Sequence, residues 1–465
     1  MNKHHKNIYA YTLVVLVFLM FSVVPTSLAT RASSEILPIA ETAALPQSPP
    51  LPPSTRNPSD LTPQQDFVPI GQVGGMIYAT EVQGDYVYIG IGTRLVIWDI
   101  TNPAQPVKIG QSGILSGVVR DIELAGTYAY VAVGEAGVHI IDISSPAAPT
   151  EVGNFATSGR VDGIAVSGDY AYVASVFDDF RIFDISIPAT PTEVGHYGSI
   201  GIAHGVYVTG DYAYVAAGGG GLQILDVSNP ANPTWQGTYA STYARDVLVS
   251  GDHAYLADAS GDPNFVVVNV SDPTSPVMAG SVAAPGEGYD LALDGSTIYL
   301  ATWDNGVRFI DVSNPAAPNE IGFYNTSGRA EGVAVADGYA YIADTWDGFK
   351  IVNVSNPSAP ALVYEYHCAG EAWDVAVDGN TAYLGDRNND FYTLDISDPS
   401  DLVIDNRYAR SWSHLSEVSL AVSGEYLFVA DGVQLHVFDV SNPASPSLVS
   451  TYTELTEPKK ISIVG

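Results

Sequence analysis

The sequence predicts an all-β chain folded as one ring of repeated four-stranded sheets, and three observations carry that prediction. First, the segment Asp99-Ile-Thr-Asn-Pro103 has eight relatives, beginning at Asp142, Asp184, Asp226, Asn269, Asp311, Asn353, Asp395 and Asp439. From Asp99 to Asp439 is 340 residues in eight periods, a mean of 42.5. A fixed period of that length marks a solenoid, a propeller or an array. Second, each period contains four short apolar runs rich in β-branched or aromatic residues, as in 150–155, 163–167, 170–174 and 180–185. Runs of four to six such residues favour strands over helices. Third, no stretch sustains a 3.6-residue apolar period, which argues against a helical repeat.

The elements of one unit follow in order. The run 163–167 has the smallest side chains, so it is assigned to the crowded innermost strand. Ser167-Gly168-Asp169 then suits a tight hairpin into 170–174, and recurs at 209–211, 250–252 and 378–380. The run 180–185 ends abruptly at the Ser-Asn-Pro type segment, because proline has no amide hydrogen to continue a ladder. Sheets of about 42 residues that are apolar on both faces need a neighbour on each side, and a single β-propeller of eight or nine blades supplies them. The ends fit less neatly. A lone outer-type strand at 67–73 precedes the first unit, and 459–465 matches only the start of another. Either a nine-bladed ring carries extra strands, or a following unit is missing.

The N-terminus reads as an export signal over residues 1–29. Lys3 and Lys6 precede an apolar run from Ile8 to Val24, and Ser27-Leu28-Ala29 offers the small residues of a cleavage site. An uncleaved anchor is the alternative. Residues 30–66 are rich in Pro, Ser and Thr and read as a disordered spacer, either a stalk or a leader with no role. Residues 67–465 are the propeller domain. Eighteen Lys and Arg face 51 Asp and Glu, a formal charge of −33, which argues against nucleic acid and anionic membrane surfaces as partners. The single Cys368 excludes intramolecular disulfides and cysteine zinc clusters. The expected location is secreted or cell-surface, as a monomer whose mature domain does not enter the membrane.

Gly221-Leu-Gln-Ile-Leu-Asp-Val-Ser-Asn-Pro230 and its eight relatives resemble the LVIVD repeat of exported and surface proteins, related in style to YVTN-type propellers. The resemblance spans 67–465. It implies the propeller fold and brings no shared catalytic motif. Departures are Asn269 and Asn353 for the motif Asp, and Ser400-Asp401-Leu402 where a second Pro is expected, which are expected to weaken those units.

The chain has no GxSxG, no HExxH and no phosphate-binding loop followed by Lys-Ser/Thr. His196, His204, His253, His367 and His414 read as loop residues without metal-ligand spacing. Asp386, Asn388 and Asp390 have the spacing of a calcium loop, with Asp258, Ser260 and Asp262 a weaker version. Both also suit turn geometry, so the expectation is no cofactor, with calcium as the alternative. The Trp303 and Trp346 turns read as hairpins.

In each unit the connections that differ, such as 156–161, 198–203, 283–288 and 369–372, leave the face opposite the Ser-Asn-Pro turns. Loops on a rigid scaffold commonly carry binding. At that face the residue entering the innermost strand reads, unit by unit, Tyr78, Arg120, Asp162, His204, Arg245, Tyr289, Glu331, Trp373 and Val418. A structural position would repeat one residue type. This diversity points to a polar channel mouth in which Arg120 and Arg245 take anionic groups and Tyr289 and Trp373 stack on a ligand. The expected function is noncatalytic binding of an extracellular protein or glycan. The alternative is a propeller lyase or hydrolase with His204 as base, assisted by Asp162 or Glu331.

Overall fold

Each 42-residue unit folds into one antiparallel sheet whose strands follow chain order, as in Gly205–Thr209, Tyr212–Ala216, Leu222–Asp226 and Thr234–Tyr239. A computed structural model describes residues 74–177, 179–198, 200–367, 372–386, 391–397, 403–408, 418–431, 433–453 and 461. The side chains of 179, 372, 373, 403 and 405 are not among them. The expected signal, the spacer and the strand at 67–73 lie outside the described residues. Among the described residues there are nine such sheets and no helix, hence none long and apolar enough to cross a membrane. In chain order sheets 1 to 9 span 77–111, 121–155, 160–197, 205–239, 244–282, 290–324, 332–366, 372–408 and 419–452.

The motif that ends each third strand works as an Asx turn. The Asp226 carboxylate accepts from Ser228 N at 2.9 Å and Ser228 Oγ at 2.6 Å, and Asp99, Asp142, Asp184, Asp311, Asp395 and Asp439 accept the equivalent backbone bond. Asn269 and Asn353 keep the same acceptor oxygen, 3.1 and 3.2 Å from Ser271 N and Ser355 N. At these two positions the turn is kept, but its backbone bond is longer than the 2.8–2.9 Å bonds of the Asp turns and lacks their charge.

The sheets stack face to face with the first strand innermost, and a separate apolar core fills each junction. Tyr130, Val138 and Ile140 of sheet 2 meet Val161, Ile164 and Val173 of sheet 3, and similar sets join each sheet to the next up to sheet 7. The ring then closes. Tyr341, Phe349 and Ile351 of sheet 7 pack on Ile77, Val87, Ile89 and Trp98 of sheet 1, and Ile77 exchanges two 3.0 Å backbone bonds with Thr345. Sheet 8 packs instead on sheet 9, through Tyr383 and Phe391 against Leu420, Leu427 and Phe438.

Nine sheets thus match nine repeats, while the expected ring of eight or nine blades is corrected to seven. The reason is occupancy: sheet 1 already covers the face of sheet 7 that a further blade would need.

Outer strands explain the choice. In sheets 1 to 6 they carry a glycine, Gly110, Gly153, Gly195, Gly237, Gly280 or Gly322, on which the next sheet's Pro carbonyl rests. At Gly195 a Cβ would lie 2.0 Å from Pro230 O, so no larger residue fits. The same register position opposite the third strand is Tyr364 in sheet 7, Asn406 in sheet 8 and Ser450 in sheet 9. Trp98 of sheet 1 packs on Tyr364 and Tyr366, with ring centroids 6.0 and 5.1 Å away. An aromatic junction therefore replaces the glycine junction where the ring closes.

Candidate functional site

Seven inner strands begin at one end of the ring channel, the end shared with the turns between second and third strands and with the links between sheets. Each contributes one residue at that entry: Tyr78, Arg120, Asp162, His204, Arg245, Tyr289 and Glu331, from sheets 1 to 7 in order. Contacts link most of them around the mouth. The Arg120 guanidinium lies 4.3 Å from the Tyr78 ring centroid, and that of Arg245 lies 4.3 Å from Tyr289. Asp162 accepts two 2.7 Å bonds from Arg160 and lies 3.0 Å from His204 Nδ1.

The His204 ring is fully engaged. Nε2 is 3.1 Å from Tyr243 Oη, and Nδ1 is 3.2 Å from Arg245 Nη1 as well as facing Asp162. Nδ1 cannot donate to a carboxylate and accept from a guanidinium at once. The carboxylate is the stronger partner, so Nδ1 carries the proton, Nε2 accepts from Tyr243, and Arg245 gains no acceptor there. Burial, with Arg245 and Arg160 nearby, lowers the His204 pKa despite Asp162. Burial opposes ionisation of Asp162, but bonds from His204 and Arg160 outweigh it and hold the carboxyl at about 2. Burial pushes Glu331 up to about 7, although Arg120, Arg245 and Arg329 pull the other way.

The mouth continues into a stacked series over sheets 6 and 7. Trp303 stacks on Tyr289 at 4.3 Å, and Arg329 lies between Trp303 and Trp346, 4.4 and 4.7 Å from their rings. Arg329 Nε also bonds Asp304 at 3.0 Å. Tyr289 is thus covered on one face by Arg245 and on the other by Trp303. It fixes a guanidinium rather than offering a free face, which corrects the expectation that it stacks on a ligand. On the opposite rim, Phe177 is 87% exposed in a left-handed conformation, beside a cleft of about 460 Å³ lined by Glu135, Ser158, Gly159 and Arg160.

Sequence reasoning missed the layer beneath. Asp121, Asp246 and Asp290 follow the mouth residues and each accepts a backbone N–H from the next sheet, Ile164 at 2.8 Å, Leu291 at 3.1 Å and Val333 at 2.7 Å. Glu81 and Glu123 share this acidic neighbourhood. Burial pushes Asp121 and Glu123 up to about 7 and Glu81 to about 8, and raises Asp246 and Asp290 as well. The signal was present as an Asp directly after Arg120, Arg245 and Tyr289.

The other expected residues fall elsewhere. Trp373 lies on the inner strand of sheet 8 and Val418 packs in the core between sheets 8 and 9, so neither belongs to the seven-sheet mouth. Their place is corrected by the early closure of the ring. Of the calcium set, Asp386 is buried and accepts from Tyr392 Oη at 3.1 Å, while Asn388 and Asp390 lie outside the described residues. In the weaker set, Asp258 is consumed by loop bonds from Ser241 Oγ, Thr242 N, Tyr243 N and Ser260 N, which hold Tyr243 toward His204. Among the described residues, Asp347, Glu365 and His367 converge as metal ligands would. Lys350 Nζ already fills that place, 2.8 Å from Asp347, 2.9 Å from Glu365 and 3.1 Å from Asp344.

Comparison with known proteins agrees with this architecture. The LVIVD repeat model matches nine segments: 74–112, 116–157, 158–199, 200–241, 241–284, 285–326, 327–368, 369–409 and 418–454. No curated protein matches the chain. Among solved structures, the Cps50 (Swd1) β-propeller domain of Myceliophteria thermophila is similar at 12% identity and a TM-score of 0.52, over 60% of this chain and 97% of that one. U3-55K is similar at 10% identity and 0.50, over 60% and 90% of the two chains. The RRP9 WD40 repeats are similar at 10% identity and 0.50, over 60% and 89%. At these identities the likeness is one of fold.

Proposed function

We propose a function from one premise: the chain belongs to the LVIVD-repeat family. It is a noncatalytic, exported or cell-surface β-propeller, a monomer that binds an extracellular protein or glycan at the channel mouth and its variable loops. The observation that carries this reading is the convergence of seven polar or aromatic side chains of five types, one from each blade, at a register position where a structural role would repeat one residue. The exposed Phe177 and the cleft beside it extend the same face with the apolar anchor that binding surfaces favour. Export rests on Lys3, Lys6, the apolar run and Ser27-Leu28-Ala29. The noncatalytic reading is favoured by His204, both of whose ring nitrogens are engaged, so neither faces a substrate as a base.

The test is capture on mixed glycan and extracellular-protein arrays. A variant with Phe177→Ser and Arg160→Ala should lose captured ligands at least tenfold. A control with Asp169, Asp211 and Asp252 changed to Ala, in the turns of the opposite face, should keep them. The reverse pattern would move the site to the other face and end this reading.

A further inference from the structure

We propose that the mouth selects a singly charged sugar acid, its carboxylate held by Arg120 and Arg245 and its hydroxyl groups by Asp162 and Glu331. The inference rests on the binding reading above and narrows its ligand class. Charge placement is the first ground. The chain has twelve arginines within a formal charge of −33, and four of them, Arg120, Arg160, Arg245 and Arg329, gather at this mouth. Concentrated cations in an anionic molecule mark a place built for a negative group.

Their pairing is the second ground. Arg160 is matched by Asp162 and Arg329 by Asp304. Among the described residues no carboxylate lies within ion-pair distance of Arg120 or Arg245, and the buried Arg245 Nε has no acceptor. Contact with the Tyr78 ring, and with the Tyr289 ring backed by Trp303, holds each guanidinium in place through a cation–π interaction that does not itself consume an N–H donor. A planar carboxylate accepts such edges in pairs. Glu331 feels Arg120, Arg245, Arg329 and Asp162 together, so these groups share one neighbourhood.

The rest of the ligand follows from what surrounds that pair. Asp121, Glu123, Asp246, Asp290 and Glu81 form a buried carboxyl layer beneath, which offers a second anionic group no cation and opposes it as these carboxyls ionise. Asp162 and Glu331 are acceptors at the mouth and match hydroxyl donors. Both faces of Tyr289 are occupied, so a neutral sugar gains no stacking there. One carboxylate on a polyhydroxy frame fits these conditions better than a peptide terminus, which lacks the hydroxyls.

The experiment is calorimetric titration of the full chain with glucuronate, galacturonate, glucose and N-acetyl-diglycine. At least one uronate should bind at least tenfold tighter than glucose and the acylated dipeptide. The double variant Arg120→Gln/Arg245→Gln should lose that binding at least tenfold while keeping its melting midpoint, and Arg245→Lys should retain part of it. Equal binding of glucose, preference for the dipeptide, undiminished uronate binding by the double variant, or no uronate binding by the native protein would each overturn the inference. Array capture that depends on Phe177 and Arg160, with no uronate binding, would sink this inference and leave the broader reading standing.

Discussion

Glu331 is the mouth residue whose charge changes near neutral pH. Burial holds its carboxyl at about 7, so it is neutral in mild acid and ionised above that, facing Arg120, Arg245, Arg329 and Asp162. Asp162, held at about 2, stays ionised, while burial and the nearby Arg245 and Arg160 favour the neutral form of His204. A raised carboxyl pKa means that lowering pH removes a negative charge, so the mouth becomes more attractive to an anion. Uronate affinity should therefore rise about three- to tenfold from pH 8 to pH 6, the ~1 kcal/mol expected of one partly screened charge. Glu331→Gln should shrink that rise, leaving the part due to Asp121, Glu123 and Glu81 below. An unchanged pH profile in the variant would contradict the assignment. The positions of Tyr78 through Glu331 were legible in the sequence because each unit breaks its repeat at the same register. Their partners were not: Trp303 reaches Tyr289 from a turn of the same sheet, and Tyr243 is aimed at His204 by loop bonds to Asp258. No local pattern encodes such tertiary contacts.

The repeated sheet is stabilised by two devices, the Asx turn after the third strand and the glycine seat on the fourth. Strand type, strand order and the turn could all be read from alternating apolar runs, Gly-Asp hairpins and the proline that stops each ladder. The seat could have been read too, since it stands at Gly110, Gly153, Gly195, Gly237, Gly280 and Gly322 and gives way to Tyr364. Its meaning appears only when the next sheet's Pro carbonyl is seen against it. Gly195→Ala would drive a Cβ to 2.0 Å from Pro230 O, a backbone atom with little room to yield. The expected cost is about 1–3 kcal/mol, the range for overpacking, read as a lower denaturant midpoint. A midpoint equal to that of the native protein would show that the junction opens freely and that the seat is not a constraint.

At the scale of the molecule, nine repeats were legible and the ring size was not, because period and strand pattern are the same in sheets that close a ring and sheets that stand beside it. Closure is decided by which face covers which. Trp98, Tyr364 and Tyr366 make the junction of sheets 7 and 1, leaving sheets 8 and 9 to bury their shared core against each other. The mouth is built wholly from sheets 1 to 7, so it requires neither of the last two. Titration of a fragment comprising residues 70–367 with the uronate bound by the full chain tests both statements together. A ring closed by sheets 1 to 7 gives a folded, monomeric fragment with one cooperative unfolding transition and the affinity of the full chain. A fragment that fails to fold, or folds and loses the ligand, would contradict it.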